Sequence, residues 1–309
     1  MSWYLFRRLT GTVVTALAVS FVAYLALTFA PGDAAEMLIG ENASAEQVAA
    51  LRRQMGLDAP FLERYGRYMA SALTRGDLGA SLVSGRAVAD LLAERLPNTV
   101  ELALVAMGLA TLVGFGVGLL AAMRPGSRLD LLAVSSTVLG LALPPYWVAL
   151  LLVMLFSLQL NWLPVFGSGT LAHLVLPAVT LALPGAAVIA RLVRSSVLEV
   201  KGADFVRTAL SKGLSPRQTL VRHVLPNSLI PALTLLGLNL SHLLGGAFVV
   251  ETIFAWPGLG RLTVQAIFDR DIPVVMGAVL MVVPISLSIN LLVDLLHAWL
   301  DPRVRHHAL

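Results

Sequence analysis

From Leu131 to Ala190 the chain runs 60 residues without an Asp, Glu, Lys or Arg. At about 20 residues per membrane crossing, that is too long for one span and right for two. A soluble domain carries roughly 25% charged residues. This chain of 309 residues carries 13%, and 57% of it is hydrophobic. Inside a bilayer the backbone must satisfy itself, so the spans read as helices. The expectation is an all-α polytopic membrane protein with six transmembrane helices. They fall at about 9–30, 102–123, 131–158, 171–190, 229–250 and 272–293.

The break between spans three and four is Asn161 to Gly169, where Trp162, Pro164 and two glycines cluster as at a membrane interface. Pro144 and Pro145 should kink span three, and Pro177 and Pro184 span four. The first apolar run is too long for a signal-peptide core and reads as a retained span. After it, residues 33–97 are polar with helical patterning. Ser44 to Gln47 reads as a capping box and Gly56 as the matching stop. Phe61, Tyr65, Tyr68/Met69 and Leu73 make one apolar face; Val88, Leu91, Leu92 and Leu96 make another. This segment is expected to pack as a small helical cap on the outer face.

The net charge of +4 concerns topology rather than nucleic acid. Arg7 and Arg8, Arg124 and Arg128, seven cations in residues 191–227, and Arg303 and Arg305 make thirteen on one side. The short loops opposite hold only Arg261 and Arg270. Both termini and residues 191–227 should therefore be cytosolic.

Several chemistries are excluded. The chain has no cysteine, so it has no disulfide or thiolate site. It has no phosphate-cradling GxxxxGK[ST] and no His-Glu-x-x-His. Nothing groups Ser, His and Asp for nucleophilic catalysis. His306 and His307 read as a solvated tail. His242, inside span five, reads as a hydrogen-bonding partner for a neighbouring helix, or as the ionisable group of an ion-gradient-driven secondary transporter. The expectation is a transport subunit rather than an enzyme, with no cofactor of its own.

The polar island 191–227 is the informative stretch. Asp204 should cap a short helix that stops at Gly213. Val206, Leu210 and Leu214 should share its face, with Arg207, Ser211 and Lys212 off it. Ser215-Pro216-Arg217-Gln218 reads as a second capping box, opening a helix that runs to Leu225 and gives way at Pro226. Two punctuated helices between spans suit a docking element.

The island also carries a spacing: Arg207-Thr208-Ala209, three residues, Gly213, nine residues, then His223-Val224-Leu225-Pro226. It resembles the cytosolic loop of ABC-importer permeases, Glu-Ala-Ala-x3-Gly-x9-Ile-x-Leu-Pro, with Arg207, Thr208 and His223 as departures. Asn227 and Pro231, with Pro31-Gly32-Asp33, Met55 to Pro60, Gly76 to Ser81, Leu96 to Leu102, Glu251 to Phe254, Pro257 to Gly260 and Asp301-Pro302-Arg303, look in order like the dipeptide/oligopeptide/nickel branch. The long outer segment is similar to that of the first of the two permeases in such systems. Asn161 to Pro164 and Phe254 to Gly258 look closest to nickel-type members.

The resemblance implies a type I importer permease of the bacterial inner membrane, carrying peptides or nickel chelates by alternating access. It implies a homologous second permease, two cytosolic ATPase subunits that bind the ATP, and an external substrate-binding protein. On it, Asp204, Arg207, Thr208, Ala209, Lys212, Gly213 and Leu214 are expected to couple to the ATPase. Glu251, Trp256 and Arg261 are expected to face the binding protein.

Overall fold

The computed structural model describes residues 2–29, 35–36, 44–54 and 56–300. Pro31-Gly32-Asp33, Met55, Asp301-Pro302-Arg303, Arg305, His306 and His307 lie outside the described residues. So do the side chains of Arg7, Arg8, Pro231, His242 and Asp294.

The chain is all-α. In order, the helices are α1 (Ser2–Phe29), α2 (Ala45–Gln54), α3 (Phe61–Arg75), α4 (Val88–Met123), α5 (Arg128–Ala142) and α6 (Pro145–Leu152). A π-helical turn, Val153–Gln159, prolongs α6. Then come α7 (Leu171–Lys201), α8 (Asp204–Ser211), α9 (Pro216–Thr219), α10 (Leu225–Ser228), α11 (Ile230–Ile253), α12 (Leu259–Phe268) and α13 (Ile272–Leu300). Among the described residues four helices are long and apolar enough to span, and the bent pair of α5 and α6 makes a fifth. The sequence's remaining span lies on α11, 24 residues long, or about 36 Å at 1.5 Å per residue.

Three elements differ from expectation. The helix of span two begins at Val88 and runs through Pro97 without a break, so the apolar face from Val88 to Leu96 is continuous with the span. At Pro144-Pro145 the helix stops and restarts at 107°, a sharper event than a kink. Pro144 is extended and Pro145 opens α6, where its missing N–H deprives no bond. Span four continues as helix to Lys201, beyond the expected end near residue 190.

The contacts gather into two compact units, Met1–Thr99 with Pro257–Leu287, and Val100–Trp256 with Ser288–Leu309. In the first unit, Phe21 and Tyr24 of α1 pack edge-on and tilted against Phe61 and Tyr65 of α3 at 5.3–5.6 Å. Val88, Leu92, Leu259, Val274 and Val275 form its buried core. The expected capping box is present: Ser44 N–H donates to Gln47 Oε1 and Gln47 N–H to Ser44 Oγ. Gly56, at φ +66°, closes α2.

The second unit is held by close helix contact. A Cβ placed on Gly114 would lie 2.7 Å from the Ala186 carbonyl, and one on Gly118 2.5 Å from that of Ala190. Two glycines four apart thus seat α4 on α7, the small-residue packing that membrane helices use in place of a hydrophobic driving force.

Candidate functional site

The polar loop after α7 is ordered by its own sequence. Its first helix, α8, is preceded by Ala203 in the extended cap position, and no side chain caps it. Asp204 is therefore not the cap the sequence suggested. It occupies the first turn, where a carboxylate complements the helix dipole, and pairs with Arg207 at 3.8 Å. Thr208 Oγ1 donates back to the Asp204 carbonyl at 3.0 Å.

The far end matches expectation. Gly213 takes φ +87°. Its N–H reaches the Leu210 carbonyl, and Leu214 N–H the Ala209 carbonyl, at 3.0 and 3.3 Å. These are the paired bonds of a Schellman stop. Ser215 and Gln218 form the second capping box, with Pro216 next to the cap. Beyond it the helix continues where the sequence suggested an end. Leu220–Val224 widen into a π turn and α10 follows. Pro226 has no N–H to return to Arg222, and the wider turn absorbs that loss.

Burial divides α8 into two faces. Val206 and Ala209 turn inward, and Val206 joins Val197 and Val224 in the core. Phe205 and Leu210 stay outward at 46% and 45% exposure, beside exposed Asp204, Arg207, Thr208, Lys212 and Gly213, with Leu214 half-buried. The face Val206–Leu210–Leu214 is thus split. Phe205 went unrecognised as an outward apolar group, although its position before Val206 on a helix turns it to another face.

The loop is fastened to the rest of its unit at two points. Arg194, on α7, grips Asp130 with both ends of its guanidinium, Nη2 to Oδ2 at 2.8 Å and Nε to Oδ1. The same carboxylate accepts Gly126 N–H at 2.9 Å, and Ser127 Oγ caps α5 by accepting Asp130 N–H. Such a forked, charge-assisted contact fixes direction as well as distance. Lys201 Nζ donates to the Ala122 carbonyl in the last turn of α4 at 3.3 Å. Residues 122–130 thus follow the loop end of α7. No local pattern signals a pair 64 positions apart.

The residues expected to face a binding protein divide differently. Glu251 is 0% and Trp256 3% exposed, so neither forms an outward surface. The chain turns over its own core here: Ala255 takes φ +51° and Trp256 N–H bonds the Glu251 carbonyl at 2.8 Å. Arg261 is exposed on α12. In its unit the motifs act as pins. Asn98 Nδ2 donates to the Pro257 carbonyl at 2.9 Å, and Thr99 Oγ1 accepts Leu259 N–H at 2.8 Å. Asp271, 3% exposed, accepts Ser81 Oγ at 2.5 Å and Leu82 N–H at 3.1 Å. This carboxylate holds the turn that ends the Gly76–Ser81 motif. Among the described residues no group of three His, Asp or Glu could hold a metal ion.

Comparison with known proteins bears on the family and the fold. Residues 114–306 match the family described as binding-protein-dependent transport system inner membrane component, and residues 1–103 match its N-terminal companion. The chain is 38% identical over 303 residues to the glutathione transport system permease protein GsiC of Escherichia coli (strain K12), covering 98% of this chain and 99% of that one. It is 38% identical over 314 residues to the probable peptide ABC transporter permease protein y4tP of Sinorhizobium fredii (strain NBRC 101917 / NGR234), covering 99% and 100%. Among solved structures, an inward-facing MetNI methionine ABC transporter superposes with TM-score 0.56 at 19% identity, over 69% of this chain and 97% of that one. An amino acid ABC transporter crystallised with histidines gives 0.53 at 19%, over 68% and 94%. An ion-gradient-driven transporter, the other mechanism His242 raised, finds no support in these matches.

Proposed function

This chain belongs to the binding-protein-dependent transport system inner membrane components, the permease subunits of ATP-driven importers, and on that premise we propose that its cargo is a short peptide of the glutathione or tripeptide class. Relatives aligned along nearly its whole length are named for glutathione and peptide transport. The single observation that carries the coupling part of the reading is α8: a Schellman-stopped helix whose Phe205 and Leu210 stay exposed beside Arg207 and Lys212.

In this reading the loop 191–227 and both termini are cytosolic. A second permease stands beside this chain, one of two ATPase subunits takes α8 in a surface groove, and an external binding protein delivers the peptide. Phe205 and Leu210 fill the groove, and Arg207 and Lys212 set the register against acidic rim groups. ATP binding closes the ATPases and displaces α8. Because α7 is one helix from the span to Lys201, the displacement travels along it, and the Arg194–Asp130 grip carries it to the turn before α5. The spans then exchange an inward-open for an outward-open arrangement.

The test is reconstitution of the four-component importer with its binding protein in liposomes. Uptake of radiolabelled glutathione and trialanine should require ATP and persist with ionophores. Uptake of neither peptide under ATP would defeat the cargo assignment.

A further inference from the structure

Between α4, α6, α7 and α11 lies a cavity of about 210 Å³ whose walls include Met107, Ala110, Thr180, Pro184, Gly185 and Asn239. Asn239 Nδ2 is buried and has no hydrogen-bond partner among the described residues. A buried unpaired donor is destabilising anywhere, and more so among spans that bulk water does not reach. It calls for a partner that no described residue supplies.

Another wall is the proline-bearing stretch of α7. Pro184 has no N–H, so the carbonyl four residues earlier, that of Thr180, loses its helical donor. Thr180 is fully buried and lines the same cavity. Its hydroxyl is already engaged, donating to the Leu176 carbonyl at 2.8 Å. The cavity therefore carries a carboxamide donor without an acceptor among the described residues. A peptide group offers its complement, a carbonyl. A second cavity, of about 280 Å³, shares Pro145, Thr180 and Pro184 with the first, and Leu139, Val148 and Leu152 help make its walls apolar.

We infer that Asn239 holds a main-chain carbonyl of the cargo in transit, while the adjoining apolar cavity receives a side chain. Recognition of the backbone admits many side chains, as a peptide carrier requires. This inference rests on the peptide cargo proposed above.

The test uses the assembled importer with its binding protein. Asn239→Leu should lower trialanine and glutathione uptake about tenfold, the loss expected for one hydrogen bond left unmade. ATP hydrolysis stimulated by the loaded binding protein should persist, and Asn239→Gln should recover part of the uptake. The chain has no cysteine, so Leu243→Cys, on the same cavity, gives this chain a single thiol, studied beside partner subunits made cysteine-free. Its reaction with a charged methanethiosulfonate should slow several-fold when trialanine is saturating. Wild-type uptake by Asn239→Leu, or thiol labelling indifferent to trialanine, overturns this site while leaving the peptide assignment standing. Absence of peptide uptake by the wild-type importer overturns both.

Discussion

Gly213 holds φ +87°, a backbone that an L side chain adopts only at about 1–2 kcal/mol. Nothing lies within 4 Å of a Cβ placed there, so strain rather than collision governs replacement. Uptake per ATP hydrolysed should fall least for Gly213→Asn, more for Gly213→Ala and most for the β-branched Gly213→Val. A Val variant as well coupled as wild type would contradict the Schellman stop as a coupling element. The Arg194–Asp130 grip makes a second prediction. Asp130→Asn and Arg194→Gln each break the same fork, so their losses in uptake should not add. A lysine at position 194 keeps the charge and loses the two-pronged geometry, so Arg194→Lys should recover little. Strictly additive losses would mean the two residues act apart.

At the scale of the element, α4 and α7 meet through Gly114 and Gly118, with no room for a side chain at either. Gly118→Val should sharply reduce the yield of folded, membrane-inserted protein. Gly116→Val, where nothing lies within 4 Å, should be nearly neutral; equal loss from both would mean that helix propensity, not contact, was at stake. These elements also show what the sequence made legible. The capping boxes at Ser44 and Ser215, and the stops at Gly56 and Gly213, were readable because a cap is decided within four residues. Asp204 was misplaced by one position because Ala203 supplies the extended cap backbone without a side-chain bond. Glu251 and Trp256 looked outward from topology alone, which says which side a loop emerges on but not that it folds back over Phe254. The partnership of Arg194 with Asp130, and the seat of Gly114 and Gly118 against Ala186 and Ala190, depend on tertiary packing that no local window contains. Even so, the four-residue glycine spacing was in view as a signal for close packing.

At the scale of the molecule, the chain separates its tasks. One unit carries a surface held by Asp271 and the Asn98–Thr99 pins, with Arg261 exposed on α12. The other carries the spans around α7 and the loop that α7 extends into. The proposed coupling depends most on α8 being where the ATPase takes hold. Because the chain has no cysteine, Leu210→Cys, at an exposed position of α8, places one photoactivatable cross-linker on this chain in an importer whose other subunits are made cysteine-free. The predicted result is a cross-link to the ATPase subunit whose yield changes when ATP is added. A cross-link to no ATPase, or labelling of that thiol by an impermeant reagent added outside intact cells, would contradict it.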